Sequence, residues 1–176
     1  MANREALREL QTRLASRLQA ARTEGMSVAW LALRVGGKNL LFPLGQSGEI
    51  FPLTSLQPVP YSRAWFRGVL NIRGGPYGVV DLAAFLAEDG GGARLEPPAQ
   101  DPTVVTLNIA LEVNCALQVD GLLGLRGTDG FASSSPPDPT SPPYFGNQFL
   151  DTAGERWQEI DLRILSQTPQ FLSISA

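Results

Sequence analysis

The 176-residue sequence contains no histidine, a single cysteine (Cys115) and a single lysine (Lys38). Each scarcity excludes something. Without histidine there is no Ser–His or Cys–His nucleophile pair, and most zinc sites lose a ligand. One cysteine cannot form an intramolecular disulfide. The Gly74–Gly78 stretch is glycine-rich but lacks the lysine of a phosphate-binding loop, so it reads as a hairpin turn. Long apolar runs are missing too. The longest, Val28 to Leu33, has six residues, far short of the ~18 that span a bilayer. Met1-Ala2-Asn3-Arg4-Glu5 does not open a secretory leader, so the expected location is cytoplasmic, with no direct membrane insertion. A net charge of −3 gives no electrostatic basis for nucleic-acid binding.

What is abundant is glycine and proline, 18 and 14 residues. That composition favours short strands and turns over long helices. The length suits about one domain with a well-buried core.

The first 24 residues stand apart. They hold five of the 14 basic residues and three of the 17 acidic ones, a net +2 against −5 for the remainder. Leu7, Leu10, Leu14, Leu18 and Ala21 recur every three or four positions, the period of an amphipathic helix. Asn3 is the expected N-cap and Gly25 the expected C-terminal stop. The helix can dock on its own domain, pack on a partner protein or lie on a membrane, although its stripe lacks aromatics.

Beyond Gly25 the pattern becomes that of strands. Val28 to Val35 and Leu40 to Leu44 flank a Gly36-Gly37 turn, a hairpin signature. Further strands are expected at Gly48–Leu53, Gly68–Arg73, Tyr77–Val80, Thr103–Leu111, Val113–Val119, Leu122–Arg126, Tyr144–Leu150 and Arg156–Ile160. Asp89–Pro102 and Thr128–Pro143 are long Gly/Pro/Ser-rich loops. Val79-Val80-Asp81-Leu82 and Glu159-Ile160-Asp161-Leu162 echo each other 80 residues apart. Each delivers an Asp N-cap, Asp81 or Asp161, to a short helix. The echo and the glycine-rich centre suggest two similarly built β-rich halves, joined around 89–102. Small barrels suit such short strands, because closure removes exposed edges.

Chemistry-bearing candidates are few. Asp81 and Asp161 are explained by capping, although a paired-carboxylate hydrolase needs only two such groups. No acidic cluster has EF-hand spacing, so no metal or cofactor is expected. Cys115 lies in a strand pattern, as a buried small residue or a reactive thiol. Arg73, inside an apolar strand beside a turn, is expected to be partly buried and to need a carboxylate. Glu49, in the short apolar strand Glu49-Ile50-Phe51, is the natural partner. The pair could fix strand register, contact a partner, or both.

Gly68-Val69-Leu70-Asn71-Ile72-Arg73-Gly74 with Val79-Val80-Asp81-Leu82 resembles the signature of the CheW family of bacterial chemotaxis coupling proteins. The Gly36-Gly37 hairpin, Glu49-Ile50, Gln118 to Leu125 and Asp161-Leu162 follow in the family's order, over about Ser27 to Leu165. The leading helix and Arg156 to Leu162 resemble the PilI branch, which serves type IV pilus twitching motility. One departure is Gly78, where the family often has proline.

The resemblance implies a mainly β, CheW-like fold. Two five-stranded small β-barrel subdomains share a core within residues 26–176, preceded by an N-terminal helix over 1–25 and followed by short C-terminal helices. It implies no enzymatic activity, but an adaptor bridging a methyl-accepting receptor's cytoplasmic tip and a CheA-like histidine kinase. By resemblance, Glu49 and Arg73 form a pair near a receptor groove between the barrels. Ile50, Leu70, Ile72 and Val119 would line the groove or the core, and Gly74 and Gly75 would shape the turn. A generic peptide- or protein-binding module is the alternative.

Overall fold

The computed structural model describes the backbone of residues 2–24 and 28–176, and side chains from 4–17 and 29–176. A long helix, α1 (Ala2–Glu24), precedes eleven strands: β1 (Val28–Val35), β2 (Lys38–Pro43), β3 (Ser47–Pro52), β4 (Phe66–Ile72), β5 (Gly75–Asp81), β6 (Thr103–Leu107), β7 (Cys115–Val119), β8 (Gly121–Gly127), β9 (Phe131–Ser135), β10 (Phe145–Asp151) and β11 (Arg156–Ile160). Helix α2 (Leu82–Glu88) follows β5, and α3 (Leu162–Gln167) and α4 (Pro169–Leu172) follow β11. Asn3 lies inside α1 rather than at its cap, because the helix already begins at Ala2. The expected stop, Gly25, lies outside the described residues.

The strands form two sheets, in the orders β8-β1-β2-β11-β10-β9 and β3-β6-β7-β5-β4. They share one plan. β3-β6-β7 are successively antiparallel, β7 runs parallel to β5, and β5 is antiparallel to β4. β8-β1-β2, the parallel β2–β11 pair and antiparallel β10 repeat that plan strand for strand. The echo at Asp81 and Asp161 is its local trace. In each sheet one strand of the parallel pair leads into an Asp that caps a helix, Asp81 as the last residue of β5 and Asp161 just after β11. Asp81 Oδ1 accepts from Ala84 N at 3.3 Å, and Asp161 Oδ1 from Ile164 N at 3.0 Å.

Two expectations change. The first sheet has six strands rather than five, because β9 adds to β10 along Ser133–Ser135. Its side chains are mostly exposed, as suits a polar edge strand, so no apolar alternation betrays it. The second change concerns the join. The halves do not meet at 89–102, which links α2 to β6 within the five-stranded sheet. The chain passes between sheets after Pro43 and at Asp120, so the first hairpin completes the sheet built mainly from the C-terminal strands.

Both sheets curl. Gln57, just beyond β3, bridges Val69 of β4, drawing opposite edges of the five-stranded sheet together. In the six-stranded sheet the edge strands β8 and β9 are consecutive, joined by a 3₁₀ turn at Thr128–Gly130. One core spans the two sheets, including Leu31, Leu33, Phe42, Val80, Leu117 and Ile160. Phe85 of α2 sits at its centre, with ring centroids 5.0 Å from Trp65, 5.4 Å from Phe171 and 6.0 Å from Tyr144.

The segment 89–102 is a strap rather than a free linker. Arg94 reaches Asp81 at 3.3 Å and Asp120 at 3.0 Å. Asp120 also accepts from Gly36 N at 2.6 Å, and Leu95 N donates to Gly36 O at 2.7 Å. Lys38 Nζ donates to Gly91 O at 2.9 Å, and Arg34 pairs with Glu96. The strap thereby ties the β1–β2 hairpin of one sheet to β5 and the end of β7 in the other.

Candidate functional site

The β4–β5 hairpin turns through Arg73 and Gly74, both in the left-handed region at φ 51° and 80°. Ile72 pairs with Gly75, so Gly75 is the first strand residue and not part of the turn. Asn71 Oδ1 accepts from Gly74 N at 3.1 Å and closes the loop. Glycine accepts such angles freely, whereas a side-chain-bearing residue in this conformation costs roughly 1–2 kcal/mol.

Arg73 Nη2 donates to Glu49 Oε2 at 2.5 Å, so the predicted pair forms. It is not partly buried as expected: the side chains are 73% and 50% exposed. The hairpin tip overhangs β3 in solvent instead of lying between layers. An exposed pair contributes roughly 0.2–1 kcal/mol, not the several of a buried one. That return is no larger than the conformational cost at Arg73. Fold stability therefore does not account for an arginine at this position, and Tyr61 and Glu112 adopt similar angles elsewhere, at φ 57° each.

Beside Glu49, half-buried Ile50 packs with Leu44 and Leu125 in a small cluster linking β3 to β8. The remaining apolar candidates go elsewhere. Leu70 and Ile72 are buried in a cluster with Val79, Val104 and Ala116, and Val119 is buried in the main core. They support the site from beneath and present little surface. Gly78 donates its N–H to Asn114 O at 3.0 Å, a bond the family's proline would lack.

Cys115 is buried, and desolvation pushes its thiol up to about 12, so it is an inert core residue. Among the described residues no group of three or more Cys, Asp or Glu could hold a metal ion. None of the helices described is long and apolar enough to cross a membrane. Arg94 and Asp120 are structural residues that sequence reasoning missed. Arg94 meets Asp81 13 positions away and Asp120 meets Gly36 84 positions away, and no local pattern marks either residue.

Two curled sheets of one plan over one core are the architecture of a CheW-like domain. A family model for the CheW-like domain matches residues 29–168, and the chain belongs to that family. Among curated proteins it is similar to Protein PilI of Pseudomonas aeruginosa, 30% identical over 127 residues, covering 71% of this chain and 68% of PilI. Among solved structures it matches the scaffolding protein TtCheW of Thermoanaerobacter tengcongensis with a TM-score of 0.64 at 17% identity. That match covers 82% of this chain and 96% of TtCheW, and speaks to fold alone.

Proposed function

We propose that this chain is a non-enzymatic adaptor coupling methyl-accepting receptors to a CheA-type histidine kinase, in a chemotaxis-like system that controls type IV pilus twitching motility. Residues 26–176 are the coupling unit, and it works in the cytoplasm. The similarity to PilI supports the pilus system. The observation that carries the binding role is Arg73, held in a costly conformation and paired with Glu49 on an exposed edge. An adaptor holds receptor and kinase together, so that receptor conformation shifts the population of active kinase.

The test is co-sedimentation of the full chain with a receptor cytoplasmic tip and the kinase. A ternary assembly dependent on this chain is expected. Arg73→Glu should weaken receptor binding at least tenfold, with Glu49→Arg in the same chain restoring part of it. Unchanged binding by the single variant, with the fold intact, removes the pair from the interface. Recovery of neither partner would favour a generic binding module.

A further inference from the structure

The seam between the two sheets is already covered by the chain's own leading helix. β3 and β8 are edge strands of different sheets, and α1 lies against both. The Leu44–Ile50–Leu125 cluster joins those strands next to Glu49. Over residues 4–17, whose side chains are described, the helix is held lightly. Of the stripe residues with described side chains, Leu14 is 6% exposed, but Leu7 and Leu10 remain 39% and 49% exposed. Gln11 Nε2 donates to Thr103 Oγ1 at 2.9 Å. A cavity of about 710 Å³ opens between α1 and β8, lined by Leu10, Leu14, Leu122 and Leu123 together with Arg13 and Arg17. The described side chains of α1, residues 4–17, thus bury little apolar surface, and such segments belong to the readily opened part of a structure.

We propose that α1 is a self-supplied plug of the groove between β3 and β8, displaced when an amphipathic helix of the receptor tip takes its place. The naming of the receptor rests on the function proposed above; the occupancy by α1 does not. A groove that accepts one amphipathic helix through a leucine and a polar bond accepts another of like pattern. Being tethered, α1 competes at an effective concentration on the order of millimolar. The apparent affinity of an incoming helix is reduced by the fraction of molecules that are closed. The +2 charge of residues 1–24 against −5 for the rest adds an attraction that salt would weaken.

The probe is a fluorescent synthetic peptide of residues 1–24, added to the full-length chain and to its Leu14→Asp variant. The variant is expected to bind the peptide at least tenfold more tightly, because its own α1 has left the groove. Gln11→Ala, which removes only the polar bond, should fall between the two. Circular dichroism and melting establish that both variants are folded. Equal peptide binding by all three chains, or binding by none, overturns the plug. In a second arm the receptor tip is added to the peptide-loaded Leu14→Asp chain. Release of the peptide supports the receptor helix as the displacing partner; retention alongside bound receptor overturns it. A receptor tip that co-sediments with none of the chains refutes the coupling function, and the peptide arm then decides the plug alone.

Discussion

Arg73 shows how a residue's surroundings can reverse a reading made from its neighbours. An arginine among Ile72, Leu70 and Val69 reads as a charge that must be buried and paired. The pairing is there, but the hairpin tip carries it into solvent. The consequence is a separation of effects. Arg73→Gly should leave stability unchanged or raise it by up to about 1 kcal/mol, by relieving the left-handed conformation. The same change should lose receptor binding, which a melt and a co-sedimentation on one sample would separate. Asp151 is the opposite case, a buried carboxylate whose role is structural. It accepts from the Trp157 indole at 2.9 Å and from the N–H groups of Ala153 and Glu155, also at 2.9 Å. Arg126 stands 3.7 Å away, and its guanidinium lies 4.3 Å from the Trp157 ring centroid. The bond to Trp157 comes first in holding this carboxyl below its ordinary value, followed by the backbone donors. A carboxyl depressed in the folded state stabilises above its unfolded value near 3.8, and that contribution is lost as pH falls through the folded value. Melting temperature should thus drop below about pH 4. Asp151→Asn should melt lower at pH 7 and show a shallower acid limb, read through tryptophan fluorescence.

At the scale of elements, the strap is the part least like its sequence. Gly90-Gly91-Gly92 and Pro97-Pro98 mark it as unstructured. Its order comes from Arg94, whose fork meets two carboxylates, Asp81 at the end of β5 and Asp120 between β7 and β8. Arg94→Ala leaves Asp81 and Asp120 partly buried without their cation and should cost about 2–4 kcal/mol. Arg94→Lys should recover only part of this, because an ammonium cannot span both partners. Denaturant midpoints measure the loss, and hydrogen exchange should localise it to 89–102 and the β1–β2 hairpin. The strand β9 was illegible for a related reason. Phe131-Ala132-Ser133-Ser134-Ser135 has no buried face to impose a period of two, and only its partner β10 makes it a strand. The strands β6 and β7 were legible because they bury every residue and are rich in valine and leucine, although the expected Thr103–Leu111 overran β6 into a 3₁₀ turn at Ile109–Leu111 and Val113–Val119 began two residues early.

For the molecule as a whole, two sheets of one plan share a core, and the six-stranded sheet takes strands from both ends of the chain while the five-stranded one is built from residues 47–119. The C-terminus returns to the five-stranded half, with Ala176 N donating to Tyr61 O at 2.9 Å and Arg63 N to Ile174 O at 2.8 Å. The expected behaviour is one cooperative unfolding transition for residues 28–176, not one per sheet. Phe85→Ala, which removes the ring between Trp65, Tyr144 and Phe171, should cost about 3–5 kcal/mol and lower both halves together. Two resolved transitions by calorimetry would contradict a shared core.

The sequence by itself determined the class of fold, most of the strands, both helix-capping aspartates and the identity of the Glu49–Arg73 pair. These follow from local periodicity, from short-range hydrogen bonding and from a motif whose order along the chain suffices. It also determined what the protein lacks, since a missing histidine is missing in any fold. Only the tertiary structure decided how the strands are shared between the sheets, that the strap is ordered, that the ion pair is exposed and that α1 covers the seam. Each of these depends on groups brought together from distant positions or on which side of a strand meets solvent, and neither property is written in the spacing of neighbouring residues.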